Sequence, residues 1–373
     1  MRLIKSIGFP KMHKEECEKR DFLPEFFETL NDYGVDIFLE EGYGERLGYT
    51  SDNYLKSNNK LKFDTFENVY KKDLIIVLRC PEPEEICLMK EDSILISMLH
   101  YETREARNKL FIDRKINCFS MDAMTNDQSE RILVNYKGTS RAGSRIAFQE
   151  LKKRTNNFEK MQNKIISVTV IGLGAVAANS AKAFEEFGDK EFLYDENGRG
   201  IIIHMLPRTI TKNYGSLKGV IEKTDILVDA SKRPDPSKII VNNELIGKLP
   251  EHAVILDLTA DPYNDKVEPM QVKGIEGIPT GTLDKFVIEA DDIIYDTIPK
   301  SINTTNRRIV VSCNAWPGID AKECMKLYGM QLFPFIDVIL SKDIQDLDIN
   351  SKNMYERSIV RASLDYYLKN KKM

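Results

Sequence analysis

The sequence predicts an α/β protein built from two doubly wound parallel-sheet domains with a cleft between them. Three observations carry this. Short apolar runs alternate with longer stretches of helical period along the chain, which is the pattern of βαβ units. The alternation falls into two series, separated by the segment 137–164. The second series opens on a β-branched run that ends in a glycine-rich turn, VTVIGLGAVAANSAKAFEEFG.

In the first series the expected strands are LIKSIGF (3–9), VDIFLEE (35–41), LIIVLR (74–79), ILISML (94–99) and INCFSM (116–121). Between them lie helical segments such as FLPEFFETLNDYG, where Phe22, Phe26, Phe27 and Leu30 recur at three-to-four spacing. The segment 137–164 has helical spacing and little turn chemistry before Asn156, as suits a long connecting helix. The second series offers IISVTVIGLG (165–174), GIIIHML (200–206), DILVDAS (225–231), AVILDLT (253–259) and RIVVSCN (308–314). From Asp320 onward the chain reads as helices that return to the first domain. The expected division is 1–137 with 318–373 as a catalytic domain and 138–317 as a nucleotide-binding domain.

A length of 373 residues accommodates two domains. With 42% hydrophobic and 30% charged residues the composition is globular. Fifty-four Lys and Arg against 58 Asp and Glu give a net charge of −4, without the basic excess of a nucleic-acid binder. No apolar run approaches the roughly 18 residues of a membrane span, and the opening MRLIKSIGFPKMHKEE turns polar too early for a signal-peptide core. A cytoplasmic protein is expected. The six cysteines form no CxxC pair and the four histidines no HExxH, so no metal site is expected.

Gly172, Gly174 and Ala177 fill a G-x-G-x-x-A pattern between a strand and a helix. Glycine permits the tight turn and lets the backbone approach a pyrophosphate, while the helix N-terminus offers its partial positive charge. A Rossmann dinucleotide-binding domain follows. Ala175, Val176, Ala230 and Ser231 complete the expected cofactor contacts.

The form of the cofactor depends on the end of the next strand. If GIIIHML is that strand, its end reads Pro207-Arg208-Thr209, which has no acid and favours NADP. If KEFLYDE is the strand, Asp195 favours NAD. Of the two, Ile201–Leu206 is the more continuously apolar, as a buried parallel strand should be, so the lean is to NADP.

Several segments resemble the alanine dehydrogenase, pyridine nucleotide transhydrogenase and saccharopine dehydrogenase superfamily, which includes carboxyethylornithine synthase-like enzymes. They are IGFPK followed by a basic dipeptide and FLP, VDIFLEEGYGERLGYTSDNY, DLIIVLRCPEPEE, ISMLHYETRE, ILDLTADP and SCNAWPG, in the family's order. The resemblance implies that His100 is the acid–base group. A free imidazole titrates at about pH 6.5, which suits proton exchange near neutrality. Arg79 stands where the family usually carries lysine. Arginine stays charged, so its expected role is to clamp a carboxylate. Lys19 and Arg20 bracket the family's carboxylate-binding arginine, and Arg20 is preferred for its fork. Asp261 matches the acid beside the nicotinamide, Asp257 is expected to be structural, and Asn314 is expected to bind cofactor or substrate.

The implied activity is that of an NAD(P)-dependent oxidoreductase acting on the C–N bond of an amino acid, with hydride passing to or from the imine of a 2-oxo acid and an amine. The amine is that of an amino acid in the opine or saccharopine type and free ammonia in the alanine dehydrogenase type. A non-catalytic NAD(P)-binding sensor or transhydrogenase-like subunit is the reading from another class. Expected partners are a small 2-oxo acid and an amine, with no nucleic acid and no membrane, in a homo-oligomer.

Overall fold

The computed structural model describes residues 4–155, 165–194 and 199–371. Two compact units emerge from its packing: Met1–Lys14, Glu18–Asn135 and Ala321–Met373 form one, and Glu15–Cys17 with Tyr136–Asp320 form the other.

The first unit holds six parallel strands, β1 (Ser6–Phe9), β2 (Asp36–Glu40), β3 (Leu61–Asp64), β4 (Leu74–Arg79), β5 (Ile94–Met98) and β6 (Asn117–Ser120). They lie in the order β3-β2-β1-β4-β5-β6. Helices α1 (Pro24–Glu28), α2 (Ser51–Ser57), α3 (Phe66–Tyr70), α4 (Pro83–Leu88) and α5 (Glu105–Asp113) connect them. Central β4 reads LIIVLR and buries its first five side chains, because helices cover both faces of such a sheet. The expected helix in FLPEFFETLNDYG is confined to α1, which starts at a proline and stops at Thr29. Its aromatic residues still form a core, with the Phe9 and Phe27 rings 4.9 Å apart.

The second unit begins its main segment with α6 (Tyr136–Arg154), followed by β7 (Ile166–Ile171), α7 (Ala175–Phe192) and β8 (Ile201–Leu206). Then come α8 (Arg208–Thr211), α9 (Tyr214–Ile221), β9 (Ile226–Asp229), α10 (Asn243–Ile246), β10 (Val254–Asp257), β11 (Val287–Ile288) and β12 (Ile309–Ser312). The sheet order is β11-β12-β10-β9-β7-β8, parallel except for β11. Separate apolar clusters fill its two faces, one around Val168, Val170 and Leu256, the other around Leu227, Ile255 and Val310, as period-two alternation requires.

Beyond this unit come α11 (Ala321–Ser341), α12 (Met354–Ala362) and α13 (Leu364–Lys371), which pack in the first unit. Between α12 and α13 the helical run breaks at Ser363, which is extended and bridges to Phe119. Among the described residues no helix is long and apolar enough to cross a membrane.

All ten strands expected from the sequence are present, trimmed by one or more residues at most ends. Two were missed. Edge strand β3 is the four-residue LKFD, half of it charged, and β11 has two residues. Neither carries an apolar run long enough to announce itself. Glu82, Glu84 and Glu85 open α4, where Glu82 caps the helix and Pro83 occupies its first position.

Candidate functional site

In the first unit the strand order reverses between β1 and β4, the point at which open α/β sheets bind ligands. Arg79 ends β4, and the pairing with β5 shifts register between Ile76 and Arg79, an irregularity that re-aims side chains. One arm of its guanidinium lies 3.4 Å from Glu18 Oε2. Glu18 is completely buried and takes Arg20 in a two-pronged grip, Nε to Oε1 at 2.8 Å and Nη2 to Oε2 at 2.5 Å. Burial alone would raise the Glu18 carboxyl, but the Arg20 and Arg79 charges hold it below the usual range. The fork of Arg20, expected to clamp substrate, is thus closed on Glu18 inside the unit. Lys19 is exposed.

His100 lies two residues past β5 in the left-handed region, with φ +49°, a strained conformation for a side-chain-bearing residue. Its amide donates to Asp122 Oδ1 at 3.2 Å, and its Nδ1 lies 3.4 Å from Asp122 Oδ2. The Ser120 hydroxyl donates to Asp122 Oδ1 at 2.6 Å. Burial opposes ionisation of Asp122, yet hydrogen bonds and charge from His100, with help from Ser120, keep it well below the ordinary carboxylate range. The imidazole is 45% exposed, so an oriented ring remains open to solvent.

The second unit contains a crevice of about 950 Å³, within the range of roughly 300–1,000 Å³ typical of ligand sites. It sits beyond the C-terminal ends of β7, β8 and β9 and is lined by Gly172, Gly174, Arg208, Ala230 and Ser231, among others. Gly172 has φ +115°, and a Cβ there would lie 2.6 Å from the Ala230 carbonyl oxygen. At Gly174, which precedes α7 in extended conformation, an added Cβ would meet nothing within 4 Å. One glycine serves the turn, whereas the other leaves room at a helix N-terminus. Such a cradle fits a pyrophosphate. Ala177 is fully buried where α7 enters the core, Ala175 is exposed at the first turn, and the Val176 carbonyl accepts the Ser140 hydroxyl at 2.8 Å.

Arg208 lies two residues past β8, confirming Ile201–Leu206 as the strand next to β7. The alternative strand KEFLYDE is overturned, because Lys190 to Phe192 belong to α7; Asp195 itself lies outside the described residues. Helical pairing in α7 continues through Lys190, Glu191 and Phe192.

Asp261, expected at a strand end, lies four residues beyond the last residue of β10 and is ion-paired to Arg233 at 2.6 Å. The strand ends earlier because Asp257 turns the chain. Its Oδ1 accepts from the Thr259 and Ala260 amides, and Ala260 has φ +53°. The other Asp257 oxygen accepts from Lys273 Nζ at 2.8 Å and from the Ser312 hydroxyl at 3.1 Å. Burial of Asp257 is outweighed by Lys273, which holds the carboxyl below its usual value. Asp229 faces Asp257 in register from β9. Burial and then the Asp257 charge push it up to about 6. The side-chain amide of Asn314, beyond β12, donates to Glu15 at 3.0 Å.

Sequence reasoning missed Asp122, Glu18, Arg233 and Lys273. Asp122 follows the strand INCFSM immediately, and an acid at a strand's C-terminal end was the available signal. Lys273 and Arg233 sit in irregular loops, where spacing says nothing about partners.

Residues 13–136 match the model of the alanine dehydrogenase/PNT N-terminal domain. Over the longer chain, an alanine dehydrogenase of Methanococcus maripaludis is 23% identical, covering 68% of this chain and 72% of its own length. An NAD(P) transhydrogenase subunit alpha of Haemophilus influenzae is 20% identical, covering 95% and 70%. Among solved structures, an L-alanine dehydrogenase superposes with a TM-score of 0.68 at 16% identity, covering 96% of this chain and 94% of that one. A transhydrogenase from Sinorhizobium meliloti gives 0.60 at 17%, covering 89% and 93%. The chain therefore shares its α/β fold with these structures, and over residues 13–136 it resembles the N-terminal domain of the alanine dehydrogenases and transhydrogenases.

Proposed function

We propose that this protein is a nicotinamide-dinucleotide-dependent oxidoreductase acting on the C–N bond of an amino acid. Kinship with alanine dehydrogenases supports the dehydrogenase reading, and the glycine cradle at the end of β7 supports the dinucleotide. The observation that carries the catalytic reading is the His100–Asp122 pair. A cofactor-binding subunit without chemistry has no use for an oriented, solvent-open imidazole.

The dinucleotide supplies or accepts hydride. His100 exchanges a proton with the substrate nitrogen or oxygen through Nε2, while Asp122 fixes the ring through Nδ1. Arg79 holds a substrate carboxylate, and Glu18 with Arg20 braces it from inside the unit. Lys19 is a second candidate contact for that carboxylate. Asp261, held by Arg233, places negative charge beside the nicotinamide site, and Asn314 contributes a hydrogen bond to cofactor or substrate. With arginine where the family usually has lysine, the reading favours condensation of a 2-oxo acid with an amino-acid amine. The ammonia-using alanine dehydrogenase type is the alternative.

The test follows the near-ultraviolet absorbance of NADPH and NADH with pyruvate or 2-oxoglutarate, adding ammonia, ornithine or lysine. Oxidation that requires an amino-acid amine is expected. Turnover with ammonia alone would establish the alternative, and tight dinucleotide binding without turnover on any pair would mark a non-catalytic subunit.

A further inference from the structure

The crevice beside the glycine cradle is charged one way. Arg208, Lys212, Lys232, Arg233 and Lys238 line it, against the single acid Asp235. Two of those cations are already matched, since Arg233 pairs with Asp261 at 2.6 Å and Lys238 lies 3.9 Å from Asp235. For Arg208, Lys212 and Lys232 no carboxylate lies within ion-pair distance among the described residues.

The three are arranged rather than scattered. Arg208 donates from Nη2 to the Lys232 carbonyl at 3.2 Å, tying the loop after β8 to the loop after β9. The Lys212 amide bonds the Arg208 carbonyl at 3.0 Å, which puts the two side chains four residues apart on one helical face. Arg208 also stands where an acid would accept the adenosine ribose hydroxyls, and no acid occurs between Leu206 and Lys212.

We infer that the crevice selects the 2′-phosphorylated dinucleotide, with Arg208 gripping the phosphate through its fork and Lys212 and Lys232 completing a three-cation trap. The inference rests on the dinucleotide reading above. A phosphate monoester carries about −1.5 to −2 charge near pH 7, which three uncompensated cations match and a bare ribose hydroxyl does not. The planar guanidinium adds paired hydrogen bonds that a lysine cannot supply.

The test is calorimetric titration of the full-length protein with 2′,5′-ADP, 5′-AMP, NADPH and NADH, repeated on R208A, K212A, K232A and the triple variant. Each phosphorylated ligand is expected to bind at least 100-fold tighter than its partner, and that preference should weaken steeply with salt. Each single variant should shrink it several-fold, and the triple should bring the two dinucleotides within about threefold of each other. Equal binding of NADPH and NADH by the unaltered protein overturns the inference while leaving the dinucleotide reading intact. A preference that survives the triple variant also overturns it, by placing the phosphate elsewhere. If none of the four nucleotides binds, the dinucleotide reading fails and takes this inference with it.

Discussion

Nδ1 of His100 lies 3.4 Å from Oδ2 of Asp122, and the other Asp122 oxygen is bound by the His100 amide and the Ser120 hydroxyl. One carboxylate therefore fixes both the backbone and the ring of the candidate acid–base residue. Replacing His100 with Ala should lower kcat by roughly 100- to 10,000-fold, the usual worth of a positioned general acid or base. Asp122→Asn should slow turnover by a smaller factor. Because Asp122 acts through His100, the double variant should be no slower than H100A alone. Multiplying defects in the double variant would show that Asp122 works independently of the histidine.

The two glycines of the cradle should fail differently. Gly172→Ala forces a Cβ to 2.6 Å from the Ala230 carbonyl oxygen at φ +115°. Thermal denaturation should show destabilisation on the order of 1–3 kcal/mol. Gly174→Ala places its methyl in open space, so its cost should be confined to the poorer N-cap, on the order of 0.5–1 kcal/mol. Dinucleotide affinity should still fall at least tenfold. An unstable but binding-competent G174A would refute the assignment of that space to the pyrophosphate.

Lys273 is 1% exposed and holds Asp257, equally buried, at 2.8 Å. Lys273→Met would keep the volume and strand the carboxylate. Removing one partner of a buried pair costs about 3–5 kcal/mol, readable as a drop in the urea midpoint. Adding Asp257→Asn should recover part of the loss. No recovery would mean that the Asp257 charge is not what Lys273 offsets.

Asp229 sets a pH dependence of defined sign. Its carboxyl is pushed up to about 6, whereas an unfolded chain releases that proton near 3.9. Between those values the folded state holds more protons, so this group's contribution to stability falls as pH rises from about 4 to about 6 and is level beyond. Asp229→Asn abolishes that decline. Relative to the unaltered protein, the variant should gain on the order of 1–3 kcal/mol between pH 4 and 7. Denaturation midpoints that differ equally at both pH values would contradict the raised value.

What the sequence made legible is what repeats. Val, Ile and Leu runs announce buried parallel strands, and the turn from Ile171 to Ala175 names its own chemistry because glycine spacing reports backbone geometry. Side-chain pairings were illegible, whether two residues apart or many. Arg20 looked like a substrate clamp until Glu18 was seen to occupy its fork, and Asp261 looked unattended until Arg233 was placed beside it. Residue types advertise capacity, but only the fold assigns partners. Asp122 and Lys273 were invisible for the same reason.

The first unit is assembled from chain segments made almost 200 residues apart, with consequences for its birth on the ribosome. Gly329 of α11 packs against Phe26, Gln331 exchanges hydrogen bonds with Val134, and the Ala362 carbonyl accepts from Tyr101. During synthesis the inserted unit is complete as sequence before those partners emerge. It is free to fold while the earlier one waits with Phe26 and Tyr101 uncovered. High sequence separation slows closure, and exposed apolar surface invites aggregation meanwhile. A chaperone that holds nascent chains should therefore matter most for the half of this protein that is translated first and finished last.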